Sequence, residues 1–293
     1  MKENKIWNDY LPEDMQEHWT VYECLKESED SSTFLVKETA TGILCVLKWG
    51  RNRQAEFLRN EMEIMEKMAD RKLSGVPKAY RIFEENGEVY LVREYIEGMS
   101  LAQMVLQKGG ISEAEICRIS RKICQTAEQF QNPDEPMIHR DIKPENIVVT
   151  PGGEVVFIDF GTMRSYKKDG SRDTFVVGTR GTAAPEQYGY IQTDQRTDVY
   201  AIGQTMLYMV SESYEMNQLS ECAVSRRMKK IIEKACSFEP DKRYGDAAQL
   251  RRAVEKCQAN NRKKVYKKAG AVFGLIAAGY IPVSYTHLRA HET

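Results

Sequence analysis

The stretch Ile138-His139-Arg140-Asp141-Ile142-Lys143-Pro144-Glu145-Asn146 decides how the chain is read. It acts together with Asp159-Phe160-Gly161, which ends the apolar run Val155-Val156-Phe157-Ile158 eighteen residues after Asp141. Two acidic side chains, an amide oxygen and a lysine thus stand beside strand-like segments. Hard oxygen donors suit magnesium, and a nearby lysine neutralises phosphate. The pattern predicts a centre that sets metal ions and a triphosphate against a hydroxyl acceptor.

Upstream, residues 19–49 alternate as antiparallel strands: Thr20 to Leu25, Thr33 to Lys37, and Gly42 to Trp49. In the last of these, Leu44, Val46 and Lys48 share one face, and Cys45, Leu47 and Trp49 the other. A lysine beside two apolar neighbours calls for something anionic. The segment from Arg53 to about Met68 has helical periodicity, with Phe57, Ile64, Met65 and Met68 as its apolar stripe. Glu61 falls inside that stripe, and Lys48 is the cation that answers it. Val76-Pro77 breaks the helix. Strands Ala79–Phe83 and Glu88–Arg93 follow, joined at Glu85-Asn86-Gly87. Beyond the extended linker Glu94 to Gly98 the pattern turns helical, at roughly 100–108, 112–131, 197–211, 225–236 and 246–258. Ser112 with Glu115 reads as a capping box opening the second helix. Two lobes of unequal size are therefore predicted.

Charge narrows the classes of function. With 42 Lys+Arg against 43 Asp+Glu in 293 residues, no basic field points to nucleic acid, and none is expected as a partner. The seven cysteines are scattered, without a C-x-x-C pair, and read as reduced thiols rather than a zinc site. Near the C-terminus, Arg262-Lys263-Lys264 and Lys267-Lys268 precede the uncharged residues 269–285. This predicts a basic juxtamembrane segment (259–268) and a transmembrane helix, with the N-terminal domain cytoplasmic. Seventeen residues span roughly 25 Å, short of the ~30 Å hydrocarbon core, so the helix reads as truncated. Residues 283–293 read as foreign to the natural frame, which is expected to continue differently after about Pro282.

Taken in order, these motifs resemble those of the eukaryotic-like (Hanks-type) bacterial serine/threonine protein kinases, over about residues 19–258. The resemblance implies an α+β, bilobal protein-kinase-like fold. A small, mainly β N-lobe (about 19–95) carries one key helix, and a larger, mainly α C-lobe spans about 98–258, after an N-terminal extension (1–18). It implies transfer of the γ-phosphate of ATP to Ser/Thr hydroxyls of proteins, with Mg2+ or Mn2+. Lys48 is implied to hold the α- and β-phosphates and Glu61 to fix it. Asp141 is implied to take the hydroxyl proton, Lys143 to steady the γ-phosphate, and Asn146 and Asp159 to ligate metal. Val46, Glu94, Ile96 and Val148 are implied at the adenine. Thr179 is implied to bond near Asp141 and Lys143, Asp198 to anchor the loop backbone, and Glu186 to pair with Arg243. Autophosphorylation of Thr174 or Ser171, received by Arg140, and dimerisation for it in trans are further implications. Two departures stand out. The phosphate-covering loop, Lys26 to Thr33, contains no glycine, which predicts a poorer lid and motivates the alternative of a pseudokinase or nucleotide-binding scaffold. Arg93 stands where the family usually places an apolar or small polar gate to the adenine pocket.

Overall fold

The computed structural model describes residues 11–131, 134–166, 178–179, 181–189 and 192–260. The short helix α1 (Glu13–Gln16) leads into β1 (Trp19–Glu27), β2 (Ser31–Glu38) and β3 (Leu44–Gly50). Helix α2 (Arg53–Asp70) follows, then β4 (Ala79–Glu85) and β5 (Glu88–Glu94). The five strands form one antiparallel sheet in the order β1-β2-β3-β5-β4. The β4–β5 hairpin closes through Asn86 and Gly87, both at positive φ (51° and 82°), the conformation a two-residue turn needs to match strand twist.

Strand alternation divides the sheet into two faces. Cys45 and Leu47 of β3 and Tyr90 and Val92 of β5 pack with Trp19, Phe34 and Val36. Leu11 and Met15 belong to the same cluster, so the segment before β1 supplies core to the sheet. Val89 and Leu91 face the other way and meet Ala55 and Leu58 of α2. That second face is the one toward which Val46 and Lys48 alternate. Helical periodicity predicts Phe57 in the apolar stripe of α2; Leu58 holds that place, and Phe57 is half-buried at the edge of a cleft. The error is one residue of helical phase.

The second lobe begins with β6 (Met99–Ser100) and α3 (Leu101–Lys108). Helix α4 (Glu113–Phe130), β7 (Met137–Ile138), β8 (Ile147–Val149), β9 (Val155–Phe157) and β10 (Arg164–Ser165) follow. Helices α5 (Gln195–Ser211) and α6 (Arg226–Ala235) precede α7, residues 247–260. A core of Leu, Ile, Met and Phe side chains, including Phe130, Phe157 and Phe160, joins α4 to α5, α6 and α7. The capping box expected at Ser112 is half made. Ser112 accepts from the Glu115 amide, but the Glu115 carboxylate is drawn to Lys108 (2.8 Å). The complete, reciprocal box is at Ser100 and Gln103 and opens α3.

One buried ion pair ties this lobe together. Nη1 and Nη2 of Arg243 donate to the two carboxylate oxygens of Glu186 at 2.7 and 2.8 Å. The remaining guanidinium donors reach the carbonyls of Arg196, Ser237 and Phe238. Both side chains are almost wholly buried, so removing one partner strands a charge away from water. Arg243→Met is expected to cost about 3–5 kcal/mol, a fall in Tm of roughly 10 °C by calorimetry. Glu186→Leu added to Arg243→Met is expected to recover most of that loss. A single variant that melts with the parent contradicts this reading of the pair.

Candidate active site

The loop from His139 to Asn146 is held from beneath. Asp198, buried near the start of α5, accepts the His139 amide through Oδ2 and the Arg140 amide through Oδ1, both at 3.0 Å. Burial pushes the Asp198 carboxyl up to about 6, against the pull of these two amides. Its two oxygens fix consecutive peptide planes and set Arg140 at φ 68°, a conformation rare for a non-glycine residue. The His139 ring lies between Phe157 and Phe160, with centroids at 5.3 and 5.4 Å. Burial lowers it to about 4, so it is a neutral packing residue.

Above this anchor, three side chains converge on Asp141. Asn146 Nδ2 donates to its carboxylate Oδ2 (3.0 Å) and to its carbonyl (3.1 Å). Lys143 Nζ lies 2.8 Å from Oδ2. The Thr179 hydroxyl donates to Oδ1 at 2.8 Å and accepts from Lys143 Nζ at 2.6 Å. Thr179 therefore bridges the two residues between which the resemblance put it. The Ile158 amide donates to the Asn146 carbonyl (3.0 Å), and β8 pairs with β9. These bonds set Asp159 beside the loop.

From the sheet side, Lys48 Nζ bonds both carboxylate oxygens of Glu61 at 2.7 and 2.8 Å, and lies 3.4 Å from Asp159 Oδ1. Glu61 is buried, which pushes its carboxyl up; Lys48 is the main opposing influence. Burial also acts to raise Asp159, but Lys48 and the Gly161 amide prevail and hold it at about 2. Three further residues in these contacts carry no signal in the sequence. Asn60 donates to the carbonyls of Gly161 (2.9 Å) and Met163 (2.8 Å) and so clasps the segment after Asp159 to α2. The Thr162 hydroxyl donates to the His139 carbonyl, and Gln187 Nε2 to the Arg140 carbonyl. A polar residue next to Glu61 on an amphipathic helix reads as solvated until its partner's position is known.

These groups border one cleft of about 670 Å³ between the sheet and the second lobe. Lys48, Glu61, Asp141, Lys143, Asn146 and Asp159 all line it. Of the residues expected at the adenine, Ile96 and Val148 line it, whereas Val46 and Glu94 do not. Val46 is buried, and the Glu94 carboxylate accepts the Lys78 amide. The glycine-free loop is a tight hairpin tip. Ser28 N bonds the Ser31 carbonyl, and Asp30 is held by Arg51 and Asn52 from the β3–α2 corner. Ser171 and Thr174 lie outside the described residues, as does the 269–285 segment; among the described residues no helix is long and apolar enough to cross a membrane.

The donor set fits a divalent cation shared with a ligand. Among the described residues no cluster of three or more His, Cys, Asp or Glu side chains could hold a metal by itself. Asp159 offers a carboxylate held well below its ordinary range. Asn146 has committed its nitrogen to Asp141, which leaves the amide oxygen as its acceptor. Two protein oxygens suit Mg2+, which keeps waters and takes phosphate oxygens rather than filling a protein cage.

Comparison with known proteins agrees with this geometry. The family model described as "Protein kinase domain" matches residues 20–264. Serine/threonine-protein kinase D of Synechocystis sp. is 29% identical over 218 residues, covering 68% of this chain and 42% of that protein. Serine/threonine-protein kinase B of the same organism is 30% identical, covering 61% of this chain and 34% of its own length. Serine/threonine-protein kinase PknB of Mycolicibacterium smegmatis is 30% identical, covering 55% and 29%. The matched region spans less than half the length of each of these relatives. With the β-sheet lobe, the helical lobe and the cleft between them, the chain belongs to the protein kinase domain family.

Proposed function

We propose that this chain is a serine/threonine protein kinase that moves the γ-phosphate of ATP onto protein hydroxyls with Mg2+. The observation that carries the reading is the Thr179 hydroxyl on Asp141 Oδ1, with Lys143 and Asn146 on the other side of the pair. A hydroxyl already donates to this carboxylate, at hydrogen-bond distance, beside a lysine and a metal-suited amide. In the reaction, the acceptor oxygen forms a bond to the γ-phosphorus and the bond to ADP breaks. The hydroxyl proton passes to Asp141. Lys143 meets the charge on the transferred group, and Lys48, aimed by Glu61, holds the α- and β-phosphates. Asp159 and the Asn146 amide oxygen would hold Mg2+, which neutralises the phosphate oxygens when bound.

The same reading extends to autophosphorylation of the activation segment at Ser171 or Thr174, in trans within a dimer. It also places the kinase domain on the cytoplasmic side of a membrane, tethered by residues 269–285. The basic run at 262–268 ahead of an uncharged segment supports that tether. The second reading, a nucleotide-binding scaffold without transfer, draws on one observation. The hairpin that covers phosphates in the family has no glycine here, and its tip is tied back to Arg51 and Asn52.

Two outcomes are expected. With labelled ATP and Mg2+, the parent chain incorporates phosphate into itself or a generic protein acceptor. Asp141→Asn lowers that rate by about a hundredfold or more while still binding nucleotide. Equal incorporation by both proteins sinks the kinase reading, and none by either, with nucleotide bound, favours the scaffold. Separately, the full chain is expected to sediment with membranes when expressed in bacteria, and a chain ending at residue 260 to stay in the supernatant. Both remaining in the supernatant contradicts the tether.

A further inference from the structure

Four cations line the nucleotide cleft: Lys26, Lys48, Arg93 and Lys143. Three of them are engaged. Lys48 is paired with Glu61 and Lys143 with Asp141, and Arg93 donates to the Glu94 carbonyl. Lys26, at the start of the glycine-free hairpin, makes no ion pair and no side-chain hydrogen bond among the described residues. An exposed lysine is usually just a solvated one, so its free charge decides nothing until its direction is known.

The register of the hairpin supplies that direction. Cys24 lies opposite Phe34 and Lys26 opposite Thr33, so β1 spends two residues where β2 spends one. A bulge of this kind bends the strand and re-aims a side chain. Unbroken pairing would set Leu25 against Thr33; the bulge sets Lys26 there instead. Thr33 in turn lies opposite Lys48 of β3. Directly opposed residues share a face of a sheet, so Lys26, Thr33 and Lys48 form one row on the face toward the cleft. Two strand spacings separate the lysines, roughly 10 Å between Cα atoms. Their flexible four-carbon stems let both ammonium groups reach one chain of phosphates.

The root of Lys26 is fixed although its head is free. The Ser28 amide donates to the Ser31 carbonyl at 2.8 Å, and the Arg51 amide to the Asp30 carbonyl at 3.0 Å. Arg51 Nε adds a bond to Asp30 Oδ1 at 2.8 Å. These bonds hold the hairpin tip at the β3–α2 corner. With a side chain on every residue, its backbone lacks the close approach to phosphate that glycine permits. A long cation on the same hairpin covers the distance that a glycine amide would close by proximity. Resting on the kinase reading above, we propose that Lys26 is a second phosphate-binding cation, which holds the triphosphate from β1 in place of the missing glycine amides while Lys48 holds it from β3.

The test uses the full chain and a conservative loss of charge. Lys26 is exposed, so unliganded Lys26→Gln is expected to melt within about 2 °C of the parent. A larger fall marks a structural residue and overturns the proposal. By calorimetry, Lys26→Gln is expected to bind MgATP roughly five- to tenfold more weakly than the parent, the loss of one charge-assisted contact. Adenosine, which carries no phosphate, should bind both proteins alike, and Lys26→Arg should recover most of the MgATP loss. The deficit should also shrink as salt is raised, because an exposed charge is screened. Parent-like MgATP binding by Lys26→Gln, or an equal loss for adenosine, overturns the proposal. A parent that binds MgATP but transfers no phosphate refutes the kinase reading alone; one that binds no MgATP overturns both.

Discussion

A carboxylate shut away from water organises the sheet side of the cleft. Glu61 sits in the apolar stripe of α2, where only a cation makes its charge tolerable, and Lys48 reaches it from β3 with both hydrogen bonds made. This pairing fixes α2 against the sheet and places an ammonium 3.4 Å from Asp159. Asn60, one residue before Glu61, then clasps the backbone beyond Asp159. The position of α2, the aim of Lys48 and the path of the chain after Asp159 are thus one coupled arrangement. A change at Glu61 is felt at all three, because its carboxylate is shut away from the solvent that could take over a lost partner.

The opposite wall uses the same device differently. Asp198 is buried and its charge is spent on two backbone amides rather than on a side chain. It holds the loop in a conformation that Arg140 would not adopt unaided. Asp141 is left free to gather Asn146, Lys143 and Thr179. Glu186 and Arg243 brace the platform that carries this second wall. Three buried carboxylates therefore do three mechanical tasks, while Asp141 and Asp159 line the cleft beside them.

Much of this was legible because charged residues inside apolar patterns have few explanations. Lys48 on a strand face and Glu61 in a helix stripe predict each other from the sequence alone. Strand alternation and the Asn86-Gly87 turn gave the sheet. The parts that escaped detection lack such a signature. Asn60, Thr162 and Gln187 act on backbone carbonyls distant in sequence, and a polar residue with a backbone partner looks like any solvated one. Leu11 and Met15 lie in a segment too short to show periodicity, yet they fill the outer core of the sheet. The half-made box at Ser112 failed because Lys108 competes for Glu115. The glycine-free hairpin was visible as a departure, but its tie to Arg51 and Asn52 was not. That tie is exposed, contributes little stability, and matters by where it holds the tip.

The central claim is that Asp159 and Asn146 complete a metal site only together with nucleotide phosphates. Calorimetric titration with ATP, with and without Mg2+, tests it most directly on the parent chain and on Asp159→Asn. The account predicts that Mg2+ tightens ATP binding to the parent by about tenfold or more and loses most of that effect in the variant. ATP binding that ignores Mg2+, or a Mg2+ effect that survives in Asp159→Asn, would contradict it.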